Sequence, residues 1–213
     1  MAKQLYWENV EEGGEVTPLS KIATTRMLVK WAGASGDFNP LHYDAAFAAI
    51  QGVGSPIVHG ALKRQWLVQL MTDWMGEQGT LRKFVCSYRA MDWPRKMATP
   101  MTPEAGETWQ CKGKVTKKYV EDGQHLVDCD IWIENGKGEV TTPGTATVIL
   151  PSRDTPTVML PTRDVSKSKI PMITIMPPQQ PIPYAGPRRK GKVSSRTRRA
   201  RPAPPGVSTI RGL

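Results

Sequence analysis

The sequence predicts an α+β fold in which one antiparallel sheet wraps around a long central helix. Leu62, Trp66, Leu70 and Trp74 recur at four-residue spacing, with Leu67, Met71 and Met75 beside them and Gly76 as a stop, so 59–75 reads as the strongest helix of the chain. Beyond it the apolar period changes from helical to two and stays so to residue 150, the pattern of strands with one buried face. After Leu150 the composition shifts abruptly. Residues 1–150 carry 16 Lys/Arg against 17 Asp/Glu, a net of −1, whereas 151–213 carry 13 against 2, a net of +11, and together they make the chain's +10. The high isoelectric point therefore belongs to a tail and says nothing of nucleic-acid binding by the folded part.

Before the long helix, residues 24–35 form a short helix capped by Thr24 or Thr25, with Met27, Leu28, Trp31 and Ala32 inward. It runs out in Gly33 and Gly36 and so delivers the chain to Asp37. A second short helix starts at Asp44 and stops at Gly52. On the long helix, Lys63, Arg64, Gln69 and Asp73 read mostly as an opposite polar face. Strands then follow around Phe84–Tyr88, Trp109–Val115, His125–Ile133 and 140–150, with turns at Gly123 and Asn135-Gly136. Pro143-Gly144 suggests a bulge. The stretch from Asp92 to Pro103 has no period and reads as a loop, and Pro-rich, basic 151–213 reads as a disordered tail. Thus 1–150 is one domain, and the helix-then-meander order suggests a single curved sheet.

Cys86, Cys111 and Cys129 are odd in number and lie in apolar alternating stretches, the pattern of reduced core thiols in a cytoplasmic protein. No apolar leader and no membrane-spanning run is present in the sequence.

The chemistry concentrates in Gly36-Asp37-Phe38-Asn39-Pro40-Leu41-His42. Pro40 fixes its own φ and pushes Asn39 to an extended conformation, so the segment is held and not helical. Asp37 and His42 can then converge on one small space, and a carboxylate with an imidazole is the usual pair for moving protons and activating a water. Asn39 suits tying the loop together through its side chain, with positioning of the water as the alternative.

This run, continued by Tyr43-Asp44-Ala45-Ala46-Phe47-Ala48, resembles the signature of the MaoC-like, type-2 (R)-specific enoyl-CoA hydratase family. Ser55-Pro56-Ile57-Val58-His59-Gly60 is similar to that family's entry to its central helix. The likeness covers roughly residues 10–150. It implies a hot-dog fold, a dimer or larger assembly with substrate along the subunit interface, and reversible hydration of a trans-2-enoyl thioester to the (3R)-3-hydroxyacyl thioester. Asp37 and His42 match the family's catalytic pair. Gly60 matches the residue whose backbone N–H binds the thioester oxygen. The physics agrees: negative charge grows on that oxygen as an enolate, and an amide at the start of helix 59–75, aided by the helix dipole, would meet it.

Ala61-Leu62-Lys63 departs from the Met-Leu-Thr of many relatives, and the 92–103 loop looks longer. Lys63 therefore sets a charge near the helix start, for a phosphate or for solvent. His59 orients the turn into the helix and is counted with Asn39 and Arg89 among the substrate-contacting candidates. Arg89, Arg95 and Lys96 are candidate grips for coenzyme A phosphates or a solvated loop, and His125 reads as a core histidine. The expected substrate is a coenzyme A thioester, with no metal and no redox cofactor. Two other readings stand beside this one: an acyl-carrier-protein-linked dehydratase, and a non-catalytic or heteromeric hot-dog subunit that binds acyl thioesters. Binding of nucleic acid is a reading for the basic tail alone.

Overall fold

A computed structural model describes residues 4–156 and residue 158, all within one compact unit, Met1–Thr162. The remainder of the expected tail lies outside the described residues. The sheet has five strands in the order β1-β3-β4-β5-β2, where β1 is Glu15–Lys21, β2 Thr80–Cys86, β3 Trp109–Glu121, β4 Gln124–Glu134 and β5 Val140–Ile149. Every pairing is antiparallel. Asp122 and Gly123, both at positive φ, close the β3–β4 hairpin in two residues, the geometry that matches strand twist.

Three helices precede most of the sheet: α1, Thr25–Ser35; α2, Ala45–Ile50; and α3, Gly60–Met75. Thr24 caps α1 by accepting from Met27 N at 3.1 Å, and Gly36 ends it with φ +75°. Helix α3 buries Leu62, Trp66, Leu67, Leu70, Met71 and Met75 against Cys111, Cys129, Ile131, Ile133 and Val148 of the sheet. Burial pushes the Cys111 and Cys129 thiols up to about 12, so both stay protonated and inert. His125 is half-buried, its ring 4.8 Å from that of Trp7.

Four expectations change. Strand β1 has no clean alternation and carries Pro18, which an edge strand tolerates and which hides it from a period-two reading. Strand β2 starts earlier than Phe84 and ends at Cys86, although Ser87 N and Arg89 N still bond Pro143 O and Thr141 O at 2.9 Å. The register runs regularly through Pro143-Gly144, so no bulge sits there. Gly144 instead permits close strand approach, since a Cβ would lie 2.4 Å from Val85 O. Finally, order continues past Leu150: Pro151 and Ser152 are buried, and Ser152 Oγ donates to Glu8 Oε1 at 2.6 Å. That bond holds the Glu8 carboxyl below the ordinary range.

Candidate active site

The loop between α1 and α2 is fixed by its own short polar side chains. Ser35 Oγ accepts from Asp37 N, Asp37 Oδ1 accepts from Asn39 N, and Asn39 Oδ1 accepts from Leu41 N at 3.0 Å. The last of these caps a 3-10 turn, Pro40–His42. Tyr43 Oη donates to Phe38 O at 2.8 Å and closes the loop from the other side. Asn39 is thus committed to the turn by its side-chain oxygen.

His42 comes off this turn, and its Nδ1 lies 2.8 Å from Ile57 O. A carbonyl can only accept, so the ring proton sits on Nδ1 and Nε2 is left with a free lone pair. Ile57 N bonds back to Leu41 O, which locks the loop to the segment entering α3. Asp37, His42 and His59 each present one polar atom, and these atoms lie within 4.8 Å of one another. Asp37 stands at the accessible end, His42 is half-buried and His59 is fully buried.

The rings of His42 and His59 stack, with centroids 3.7 Å apart and planes 19° from parallel. Among the described residues neither nitrogen of His59 meets the geometry of a hydrogen bond. Burial pushes the His59 pKa down, and the adjacent His42 ring pushes it the same way. The Asp37 backbone and carboxylate pull it upward, by less than burial and His42 push it down. A carboxylate with two imidazoles is a donor set for a divalent transition metal. Face-to-face rings, however, send their in-plane lone pairs out nearly parallel, and these cannot converge on an ion at ~2.0–2.1 Å.

Gly60 opens α3 with His59 as its N-cap, so its N–H points out of the helix end with no intrahelical acceptor. The ring of Tyr88 lies directly over it: a Cβ on Gly60 would stand 2.8 Å from that ring. The sequence offered no sign of this cover.

Lys63 is the main correction. It neither faces solvent nor waits for a phosphate, because its side chain is 2% exposed and its Nζ bonds Asp92 Oδ2 at 2.6 Å and Ala90 O at 3.0 Å. Asp92 also accepts from Trp109 Nε1 at 3.0 Å, and its carbonyl receives Val58 N at 2.8 Å. Asp92 therefore ties the start of α3 and the start of β3 through its carboxylate, and the segment before α3 through its carbonyl. The signal was present in the sequence: Lys63, Leu67 and Leu70 share one helical face.

Arg95 is likewise spent on structure, its guanidinium donating to Glu107 O and Thr108 Oγ1. Lys96 is exposed. Arg89 is exposed beside Tyr88, and its guanidinium makes no hydrogen bond or ion pair among the described residues. A cavity of ≈ 930 Å³ lies elsewhere, between β1 and the second half of α3, where Leu19, Leu70 and Trp74 line it. Around the site itself, Phe38, Tyr43, Tyr88, Met91 and Trp93 are each about half exposed or more.

The MaoC like domain model matches residues 10–92, a span that contains Asp37, His42, His59 and Gly60. Over this span the chain is similar to a MaoC-like domain. The chain is 42% identical over 67 residues to an (R)-specific enoyl-CoA hydratase of Aeromonas caviae, a match covering 32% of this chain and 47% of that protein. It thus spans about half the length of this curated relative. The chain also superposes on the structure of an (R)-hydratase from A. caviae involved in PHA biosynthesis, with a TM-score of 0.57 and 26% identity. That match covers 68% of this chain and 99% of the other. The ChsH1–ChsH2 complex of Mycobacterium tuberculosis shares the fold at a TM-score of 0.54 and 20% identity, over 66% of this chain and 98% of the matched one. The architecture is the hot-dog fold. No described helix is long and apolar enough to cross a membrane.

Proposed function

We propose that this MaoC-like chain catalyses reversible hydration of trans-2-enoyl thioesters to (3R)-3-hydroxyacyl thioesters, with coenzyme A as the carrier. The observation that carries this reading is the convergence of one polar atom each from Asp37 and His42, whose Nε2 the Nδ1–Ile57 bond leaves bare, with the N-terminal amide of α3 following His59. His42 Nε2 takes a proton from water as the water oxygen attacks C3. Asp37 accepts the second O–H of that water and faces the imidazolium that forms. Electron density moves through C2 onto the thioester oxygen, where the Gly60 N–H and the positive end of the helix dipole receive it. The imidazolium then returns its proton to C2, so both catalytic groups end as they began. Buried Cys thiols take no part.

Substrate contact falls to Arg89, the one cation of the expected three that is adjacent to Tyr88 and free of partners among the described residues. The half-exposed aromatic and Met side chains around the site fit closure by a second copy of the chain, with the acyl group between. The experiment is direct: the full chain should quench the enoyl absorbance of crotonyl-CoA and release the (3R) product. An (S) product, or no turnover with crotonyl-CoA and longer analogues, would refute it.

A second reading is favoured by one comparison, since a structural neighbour is a complex of two different chains. Here this chain would be one half of a heteromeric hydratase. Co-purification with a second hot-dog subunit, and activity only in its presence, would select that reading.

A further inference from the structure

We propose that His59 is a third holder of the reacting water: its ring N–H donates to the water oxygen and aims the remaining lone pair at the substrate. This rests on the hydratase reading for the fate of the water, and on two separate observations for its place.

The first is the burial of His59. Its side chain is 0% exposed, yet among the described residues neither ring nitrogen meets the geometry of a hydrogen bond. Buried polar groups are normally satisfied, by water when the protein offers nothing. An orphaned imidazole in a well-packed site therefore points to a small polar guest. The second is convergence. One polar atom each from Asp37, His42 and His59 falls within 4.8 Å of the others, a space in which one water reaches all three at about 2.8 Å. The stacked rings set their edges side by side, and hydrogen bonds tolerate the resulting tilt where metal coordination does not.

The valences of water then assign the roles. Water has two O–H groups and two lone pairs. Asp37 can only accept when ionised, and His42 Nε2 can only accept because Nδ1 holds the proton. These two use both O–H groups. A donor must fix one lone pair if the other is to be directed, and His59 is the neighbour with an N–H to give. Three of four tetrahedral positions are thereby held by the protein, and the fourth faces C3. Loss of one proton to His42 during attack leaves the other two contacts intact. His59 thus orients the nucleophile, and its own protonation state does not change.

Three variants test this with the full chain and crotonyl-CoA. His59→Phe keeps a flat ring against His42 and removes the donor; kcat should fall about 10²-fold with KM nearly unchanged. His59→Asn and His59→Gln place an amide N–H at the two ring-nitrogen positions, and one of them should recover at least tenfold over His59→Phe. A His59→Phe enzyme with kcat within threefold of wild type overturns the proposal. So does an equal loss in all three variants with unchanged unfolding curves. A crystal structure of the wild-type chain gives a readout that needs no turnover. It should show one ordered water within hydrogen-bond reach of Asp37, His42 Nε2 and a His59 nitrogen. A dry site, or a water held by Asp37 and His42 alone, also overturns it. Absence of wild-type turnover with that water in place would count against the hydratase reading only.

Discussion

Replacing Lys63 by methionine would leave the Asp92 carboxylate buried with its strongest partner gone. The pair is 2% exposed on both sides, and the ammonium also supplies Ala90 O at 3.0 Å, so two acceptors lose their donor. Methionine fills most of the lysine stem, which keeps cavity formation small. The cost is then mainly electrostatic, about 3–5 kcal/mol for a buried ion pair broken on one side. Adding Asp92→Asn removes the stranded charge, while Oδ1 can still accept from Trp109 Nε1. The double variant should lose only about 1–2 kcal/mol, the scale of an imperfectly replaced hydrogen bond. Urea unfolding followed by tryptophan fluorescence reads this directly, because Trp66 and Trp109 pack 6.0 Å apart in the same core. At a slope of about 1–3 kcal/mol/M the single variant should shift the midpoint by more than about 1 M, and the second substitution should return most of it. A single variant costing under about 1 kcal/mol, or a double variant less stable than the single, would refute the assignment of a buried charge pair.

Gly144→Ala should cost about 1–3 kcal/mol, since its Cβ would meet Val85 O at 2.4 Å between paired strands, and an unchanged midpoint would contradict that packing. Gly33→Ala, with nothing within 4 Å, should instead stabilise by up to about 1 kcal/mol through helix propensity. For His59 the folded protein resists protonation while the unfolded chain takes a proton near the ordinary value of 6.5. Stability should therefore fall as pH drops through that value, and the slope should flatten in His59→Phe; a wild-type curve level between pH 7.5 and 5.5 would contradict it. At pH 8 a thiol reagent should label no more than Cys86 in the native protein, because Cys111 and Cys129 are buried with pKa values near 12; three labels without denaturant would show otherwise.

Much of this arrangement was legible in the chain because strong periodicity reports burial. Helix α3 and strands β3 to β5 each carry a long apolar repeat, and their placement follows from it. The Asp37–His42 loop was legible for a different reason: Pro40 and the short polar side chains specify its conformation locally. What escaped was tertiary. The i, i+4, i+7 spacing of Lys63, Leu67 and Leu70 sets the lysine on the buried face, but its partner Asp92, 29 residues away, is a tertiary encounter. Tyr88 over Gly60 and the stacking of His42 on His59 are encounters between separate segments, and no spacing in the sequence announces them. Strand β1 was hidden because Pro18 and mixed polarity mask alternation on an edge strand, where register rests on pairing with β3.

The most direct measurement is the initial rate of crotonyl-CoA hydration by the full chain beside Asp37→Asn and His42→Ala, with matched unfolding curves as the folding control. Loss of about 10²–10⁴-fold in each variant is the predicted result, the range for removal of a positioned acid or base. Rates within a few-fold of wild type in both folded variants would contradict the account.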